Sequence, residues 1–360
     1  MKIAIDLQTT LGEKTGIGFY VDGLVRALAR VDTANSYVPL TPNTTDDLNS
    51  VKRFLWDQFD LPRLAKRANA DLLHQPGFSA PVRFGKPVVV TVHDLIAIHF
   101  GSDIPLGSRL YFGKWMPFSY RYADHIIAVS EHTKRDIVKL LGINPTTITV
   151  VPLAADERYT VLKDKAEVAR LTKRFQAGEK FVLHVGTINP RKNLEFLVRA
   201  FAKVRANLNE PVKLVITGKK GWYYDQLFAL VDSLKLHDSV VFTGYVTDDE
   251  KVALYNAATA LAFPSLYEGF GLPPLEAMQC GTPVISSNTS SIPEVIGNAG
   301  VLLSPIDESG WVTALTQVLS DPKERARLSK LGLAQAAKFS WDETARKTMA
   351  VYEQVIHAKS

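Results

Sequence analysis

The sequence predicts an α/β protein built as two doubly wound, Rossmann-like parallel-sheet domains. Short apolar runs alternate with helix-length segments nearly throughout, which is the pattern of βαβ units. These runs fall into two series separated by a polar stretch. The chain's 360 residues also exceed the ~250–300 that one hydrophobic core organises. The first series is Lys2–Leu7, Val88–Val92, Ile126–Val129 and Ile148–Val151. The second is Phe181–Val185, Val212–Thr217, Val240–Phe242, Ala260–Phe263 and Pro283–Ser286. The split falls near Pro152–Lys165, where Asp156-Glu157-Arg158-Tyr159 and Lys163-Asp164-Lys165 are polar enough for a linker.

Composition narrows the class. Hydrophobic residues make up 46% and charged residues 22%, ordinary for a globular protein. No apolar run approaches the ~18 residues that span a bilayer. The amino terminus, Met1-Lys2-Ile3-Ala4-Ile5-Asp6, is a charge-broken strand pattern and not a signal peptide. The one cysteine, Cys280, has no partner for an internal disulfide, and no Cys/His cluster suggests zinc. A cytoplasmic location is expected. The net charge of +5 favours anionic partners (phosphates, nucleic acid or an acidic membrane face) without choosing among them.

In chain order, the first strand leads into Thr15-Gly16-Ile17-Gly18-Phe19-Tyr20 and a helix whose apolar face is Val21, Leu24, Val25 and Leu28. Glycines 16 and 18 would let backbone approach a ligand, or form a structural turn. A dinucleotide fingerprint is disfavoured, because Val21 holds the third glycine position and no clear acidic residue ends the next strand near Tyr37–Leu40. Asp57, Asp60, Arg63, Lys66 and Arg67 read as a solvated mixed-charge face. After the strand Val88–Val92 come His93 and Asp94, at the ligand edge of the sheet; His93 pairing with Asp94 or a backbone carbonyl is the structural alternative. His74 and His99 lack such a setting and read as structural. Residues 104–122 mix aromatics with Arg109, Lys114 and Arg121, which suits either lipid headgroups or an amphipathic core helix. No nucleic-acid module accompanies them. Ser130 reads as a helix N-cap.

In the second domain, Val185 runs into Gly186-Thr187-Ile188-Asn189-Pro190-Arg191-Lys192-Asn193. Asn193 is positioned to cap a helix with Leu194, Leu197, Val198 and Phe201 on its apolar face. Adjacent cations before a helix N-terminus repel each other unless an anion or water intervenes, and a pyrophosphate suits Arg191 and Lys192. Thr217-Gly218-Lys219-Lys220-Gly221 and Thr243-Gly244-Tyr245-Val246 are strand ends followed by glycine.

The most specific stretch is Pro264-Ser265-Leu266-Tyr267-Glu268-Gly269-Phe270-Gly271-Leu272-Pro273-Pro274-Leu275-Glu276-Ala277-Met278. It follows a buried-strand pattern and enters a helix opened by a proline pair. Two carboxylates therefore bracket a glycine loop at the ligand edge of a parallel sheet, with free backbone N–H groups that suit negative charge. Such parts fit a ligand with both phosphate and polyol character.

This string, with Gly-Thr-x-x-Pro-Arg-Lys-Asn upstream and His-Asp in the first domain, resembles the retaining glycosyltransferases of family 4 (group 1, mannosyltransferase-like). The resemblance covers nearly the whole chain. It implies the GT-B fold, with two Rossmann-like domains facing a central cleft. Residues 1–158 would be the acceptor-side domain, residues 159–341 the nucleotide-sugar-binding domain, and the helix 342–360 would cross back onto the first. It also implies a metal-independent, retaining hexosyltransferase with no cofactor beyond its nucleotide-diphosphate-sugar co-substrate. In that reading Arg191 and Lys192 stabilise the departing diphosphate, Glu268 contacts sugar hydroxyls, Glu276 holds the ribose, and His93 positions the sugar with Asp94 beside it. The backbone of Phe270, Gly271 and Leu272 lies near the sugar, Gly244, Tyr245 and Val246 beside the base, and Gly16 and Gly18 near the donor phosphates. Thr187 stands where some members carry arginine. The donor implied is GDP-mannose. The acceptor would be a glycan or polyprenyl-linked glycan of surface-polysaccharide assembly, with 104–122 in peripheral contact with the inner membrane face and no nucleic-acid partner. A UDP-hexose-dependent transferase of the same fold and a non-catalytic nucleotide-sugar-binding subunit are the alternatives.

Overall fold

A computed structural model of the chain describes residues 1–12, 16–101, 106–219, 221 and 224–359. Thr15 of the first glycine turn, residues 104 and 105 of the aromatic and basic segment, and Lys220 lie outside the described residues. Two compact units result: residues 1–154 with 339–360, and residues 155–338. The expected division after 158 and the expected helix start at 342 fall a few residues beyond these points. The stretch read as a linker is tied into the second unit. The Asp156 carbonyl accepts from Gln279 Nε2 at 3.1 Å, Arg158 pairs with Asp156 and Asp248, and Asn256 Nδ2 donates to the Thr160 carbonyl at 2.9 Å.

The first unit carries a parallel sheet of β1 (Lys2–Asp6), β2 (Ser36–Leu40), β3 (Leu72–Gln75), β4 (Val88–Val92), β5 (His125–Ala128) and β6 (Ile148–Val150). Its order is β2-β1-β3-β4-β5-β6. Alternate residues face opposite ways along each strand. Ala4, Leu73, Val90, Ile126 and Ile148 thus join Trp56, Leu61, Ala65, Tyr120 and Ile137 in one core. Ile3, Ile5, Val89 and Ile127 are equally buried on the other face.

The terminal helix Trp341–His357 packs along Gly16–Val31. Ser340 Oγ caps it by accepting from Glu343 N at 3.2 Å, and Arg30 pairs with Asp342. Gly23 is required there, since a Cβ would lie 2.5 Å from the Trp341 ring. Within the terminal helix Ala345 and Tyr352 are buried, and Met349 is half-buried.

Strand β3 is absent from the apolar series because two of its four residues are polar. Its His74 is fully buried yet satisfied, with Nδ1 2.7 Å from the Tyr352 hydroxyl and Nε2 2.8 Å from Thr91 Oγ1. Burial holds its imidazole down to about 3, so it stays neutral.

The second unit's parallel sheet comprises β7 (Phe181–Val185), β8 (Lys213–Thr217), β9 (Val240–Gly244), β10 (Ala260–Phe263), β11 (Val284–Ser287) and β12 (Val301–Leu303). The order is β12-β11-β10-β7-β8-β9, so the chain direction across the sheet reverses between β7 and β10. Strand β12 was also missed: it is a short, half-buried edge strand between Gly300 and Pro305. Leu194, Leu197, Val198 and Phe201 face the sheet as expected, with Trp311, Leu315 and Val318 of the helix Glu308–Ser320 in the same core. Each such side chain contributes ~1.5–3 kcal/mol by leaving water. Among the described residues, no helix is long and apolar enough to cross a membrane.

Candidate functional site

Open parallel sheets bind ligands beyond the carboxyl ends of the strands where the order reverses. In the second unit those strands are β7 and β10, which lead into the two most specific stretches of the sequence. After β7, residues Pro190–Lys192 form a tight helical turn. Asn193 adopts the left-handed region, φ 56°, and does not cap the following helix as expected. Its amide instead donates to the Pro305 carbonyl at 2.9 Å, tying the turn to the end of β12. After β10, Leu266 N donates to the Arg191 carbonyl at 2.9 Å, joining the two loops.

The side chains meet at one oxygen. Glu268 Oε1 lies 2.7 Å from Arg191 Nη1 and 2.6 Å from Lys192 Nζ. Arg191 Nη1 also donates to the Tyr267 carbonyl at 2.6 Å, and Lys192 Nζ sits 4.7 Å from the centroid of the Phe263 ring. Burial by itself would raise the Glu268 carboxyl, but the Lys192 and Arg191 charges hold it down to about 2. A carboxylate with two cations on it carries one net positive charge, which favours an incoming anion.

The surrounding loops are held rigidly. Gly186 N donates to Thr217 O at 2.9 Å, Ile188 N to Lys219 O at 3.0 Å, and Gly218 N to Gly244 O at 3.0 Å. Gly218 has φ 143°, and a Cβ there would lie 2.1 Å from the Gly186 carbonyl oxygen. On the other side, Ser290 Oγ accepts from Glu268 N at 2.9 Å, while Ser291 Oγ donates to the Glu268 and Phe270 carbonyls at 2.8 and 2.7 Å. This hydroxyl run after β11 was missed by the sequence reading. Its signal was six consecutive small polar residues, Ser286 to Ser291, at the ligand edge of the sheet.

Gly271 precedes the helix Leu272–Gln279 with φ 120°, and Pro273 and Pro274 lie in its first turn. Glu276, one turn on, is buried; its Oε2 accepts from the Tyr255 hydroxyl at 2.8 Å and its Oε1 lies 3.7 Å from Lys251 Nζ. At the end of β9, Gly244 takes φ 69°; after it Tyr245 is 58% exposed with Lys219 Nζ 5.7 Å from its ring centroid, and Val246 is buried. Phe270 is buried too, and Leu272 is half-buried.

In the first unit, Gly16 and Gly18 lie within the first turn of their helix and not in a loop before it. A Cβ on Gly16 would meet open space. His93 Nε2 lies 2.9 Å from the Pro76 carbonyl, so that nitrogen carries the proton, and its ring meets Tyr20 edge-on at 4.8 Å. Burial pushes the imidazole down to about 4, leaving neutral His93 with an acceptor lone pair on Nδ1. Asp94 Oδ1 accepts from Ile96 N at 3.0 Å.

The solvated face expected over Asp57–Arg67 is corrected at Asp57, which is fully buried. Its Oδ2 accepts from Tyr111 Oη at 2.5 Å and Ser79 Oγ at 2.7 Å, and its Oδ1 from Gln75 Nε2 at 3.0 Å. Residues 106–122 form a helical run with a wider π-type turn over Tyr111–Trp115. Tyr111 and Tyr120 are buried, whereas Leu110, Phe118 and Tyr122 are exposed.

Known proteins resemble this chain in sequence and in fold. Residues 167–334 match the family model "Glycosyl transferases group 1", and residues 15–159 match "Glycosyltransferase Family 4". The O-antigen chain mannosyltransferase B of Escherichia coli is 33% identical over 283 residues, covering 78% of this chain and 74% of that protein. The serotype-specific mannosyltransferase WbdA of Escherichia coli is 32% identical over 277 residues; the match covers 75% of this chain and only 34% of that longer relative. Among solved structures, sucrose-phosphate synthase from Thermosynechococcus elongatus superposes with a TM-score of 0.77 at 22% identity, covering 99% of both chains. WaaG, a glycosyltransferase involved in lipopolysaccharide biosynthesis, gives 0.73 at 16% identity, covering 96% of this chain and 98% of that one. The two doubly wound units are those of the GT-B fold.

Proposed function

The chain belongs to family 4 of the glycosyltransferases, and from that premise we propose that it moves mannose from GDP-mannose to a growing surface glycan with retention of configuration. The observation that carries the chemistry is the convergence of Arg191 and Lys192 on Glu268 where the strand order reverses. In this reading the donor diphosphate takes up the positive charge of the two cations, Arg191 through its planar fork and Lys192 as a point charge. Charge growing on the leaving diphosphate is then stabilised by groups already in place, with no resident metal or other cofactor needed. Glu268 accepts from sugar hydroxyls, Glu276 from the ribose, and neutral His93 offers its free Nδ1 to a further sugar hydroxyl. No side chain acts as general base; the leaving phosphate helps take the acceptor proton on the same face as departure. The backbone around Gly244–Val246 would meet the base, and that around Phe270–Leu272 the sugar. Asp94 and the Gly16–Gly18 turn would complete the first unit's contribution.

Names of relatives support the transferred sugar and the glycan: an O-antigen chain mannosyltransferase, a serotype-specific mannosyltransferase, and an MMP alpha-(1->4)-mannosyltransferase of Mycolicibacterium hassiacum at 29% identity. For a polyprenyl-linked acceptor at the cytoplasmic membrane face, the support is the exposure of Leu110, Phe118 and Tyr122 beside Lys114 and Arg121. Calorimetry with GDP-mannose, UDP-glucose and UDP-N-acetylglucosamine tests the donor. Tightest binding by GDP-mannose is the expected result, a preference for a UDP-sugar moves the chain to the other donor class, and binding of none removes the reading.

A further inference from the structure

We propose that Tyr255 is a positioning residue for donor binding: its buried hydroxyl fixes the Glu276 carboxylate so that the other oxygen meets the ribose diol. The inference rests on the assignment of Glu276 to the ribose. Tyr255 lies on the helix Asp248–Ala257, opened by a capping box in which Thr247 Oγ1 and Glu250 each bond the other's backbone N–H. That cap sets the helix phase, and Tyr255 falls on the buried side with no exposure. Its backbone carbonyl accepts from Thr282 Oγ1 at 2.6 Å, and its ring meets Tyr159 edge-on at 5.8 Å. The hydroxyl therefore has little room to move when it donates to Glu276 Oε2 at 2.8 Å. Burial and the Glu276 charge push the Tyr255 hydroxyl well above the usual phenol range, so it remains a donor.

Lys251, one turn earlier on the same helix, places its ammonium 3.7 Å from Oε1 and 5.0 Å from the Tyr159 ring centroid. One oxygen of the carboxylate is tied by a short bond, and the other faces a cation at a longer distance. A vicinal diol needs an acceptor edge of fixed orientation, because both hydroxyls must bond it at once. Tyr255 supplies that orientation without itself touching the ligand.

The test is calorimetry of the whole chain with GDP and UDP, each beside its 2′-deoxy form, on wild type, Tyr255→Phe and Glu276→Gln, with thermal melts of all three. Wild type should prefer the ribose form of its own nucleotide by about tenfold or more, the size of one charge-assisted hydrogen bond. Tyr255→Phe keeps the ring and its packing, so it should melt close to wild type. It should nonetheless bind the ribose form about tenfold more weakly, and its preference over the deoxy form should shrink to about threefold or less. A purely structural role would weaken both forms equally and leave the preference intact. That outcome, with the preference lost only in Glu276→Gln, overturns the role of Tyr255 and spares that of Glu276. If Glu276→Gln also keeps the preference, the ribose assignment itself falls, and the inference with it.

Discussion

Both units carry buried carboxylates at the carboxyl edge of a parallel sheet, yet the two settings are opposite in kind. In the first unit the hydrogen bonds to the Asp6 and Asp57 side chains come from neutral donors, and the Arg53 charge acts on both only as a lesser influence. Gln75 Nε2 bonds both at 3.0 Å, Trp56 Nε1 donates to Asp6 at 3.0 Å, and Ser79 and Tyr111 donate to Asp57. Burial raises Asp6 to about 6, and burial with the neighbouring Asp6 charge raises Asp57 to about 7. In the second unit Glu268 is met by two cations and held down to about 2. The first arrangement is closed, because its donors are all committed within the protein. The second is open in the reading proposed above, in which an incoming anion competes with the one carboxylate oxygen that both cations meet. On that reading, cations bonded directly to a buried carboxylate point to a ligand site better than burial does.

The largest effect that would sharpen this comparison is expected from Glu268→Gln. Removing the negative charge leaves Arg191 and Lys192 without their anion, so nucleoside diphosphate should bind more tightly while turnover falls about 10²–10³-fold. Weaker binding would mean that Glu268 organises the cations instead of competing with the ligand. Gly218→Ala should come next. Its Cβ cannot coexist with the Gly186 carbonyl, and the loop shift should cost about 3 kcal/mol in chemical denaturation and weaken donor binding. Unchanged stability would show that the β7 and β8 loops are less tightly joined than their hydrogen bonds imply.

Asp57→Ala should destabilise the first unit by about 2–3 kcal/mol by leaving Gln75, Ser79 and Tyr111 donors unsatisfied. Donor binding in the folded variant should be unchanged. A selective loss of binding would contradict the closed reading of that network.

The smallest effect is in the pH dependence. Glu268 has a depressed value, so its contribution is present above ~4.3 and is lost as pH falls through about 2. Asp57 has a raised value, so its contribution is present below 3.8 and is lost as pH rises through about 7. Melting curves should show Glu268→Gln flattening the loss of stability on the acid side and Asp57→Asn flattening the decline as pH rises toward neutrality. Identical profiles for the two variants would erase the distinction.

The sequence made the second unit more legible than the first, for a physical reason. Its ligand-edge residues are contiguous: Pro190-Arg191-Lys192 and Glu268 to Glu276 each sit in one loop, and both follow uninterrupted apolar strands. The first unit hides polar residues within its core. His74 and Gln75 break the apolar pattern of β3, and their partners Tyr352, Thr91, Asp6 and Asp57 are distant in the chain. No local pattern distinguishes a buried Asp57 from a solvated one. The Asn193 cap failed similarly, since its amide found the Pro305 carbonyl, a long-range partner. Tyr255 was invisible because its proposed role depends on the bond its hydroxyl donates to Glu276 on another helix.

The most direct test of the open site is NMR-monitored breakdown of GDP-mannose by wild type and Lys192→Ala, without acceptor, at saturating donor. If the cations stabilise charge on the leaving diphosphate, wild type should release mannose slowly and the variant at least about 100-fold more slowly at saturation. Equal rates in the two proteins, with donor bound to both, would contradict the account.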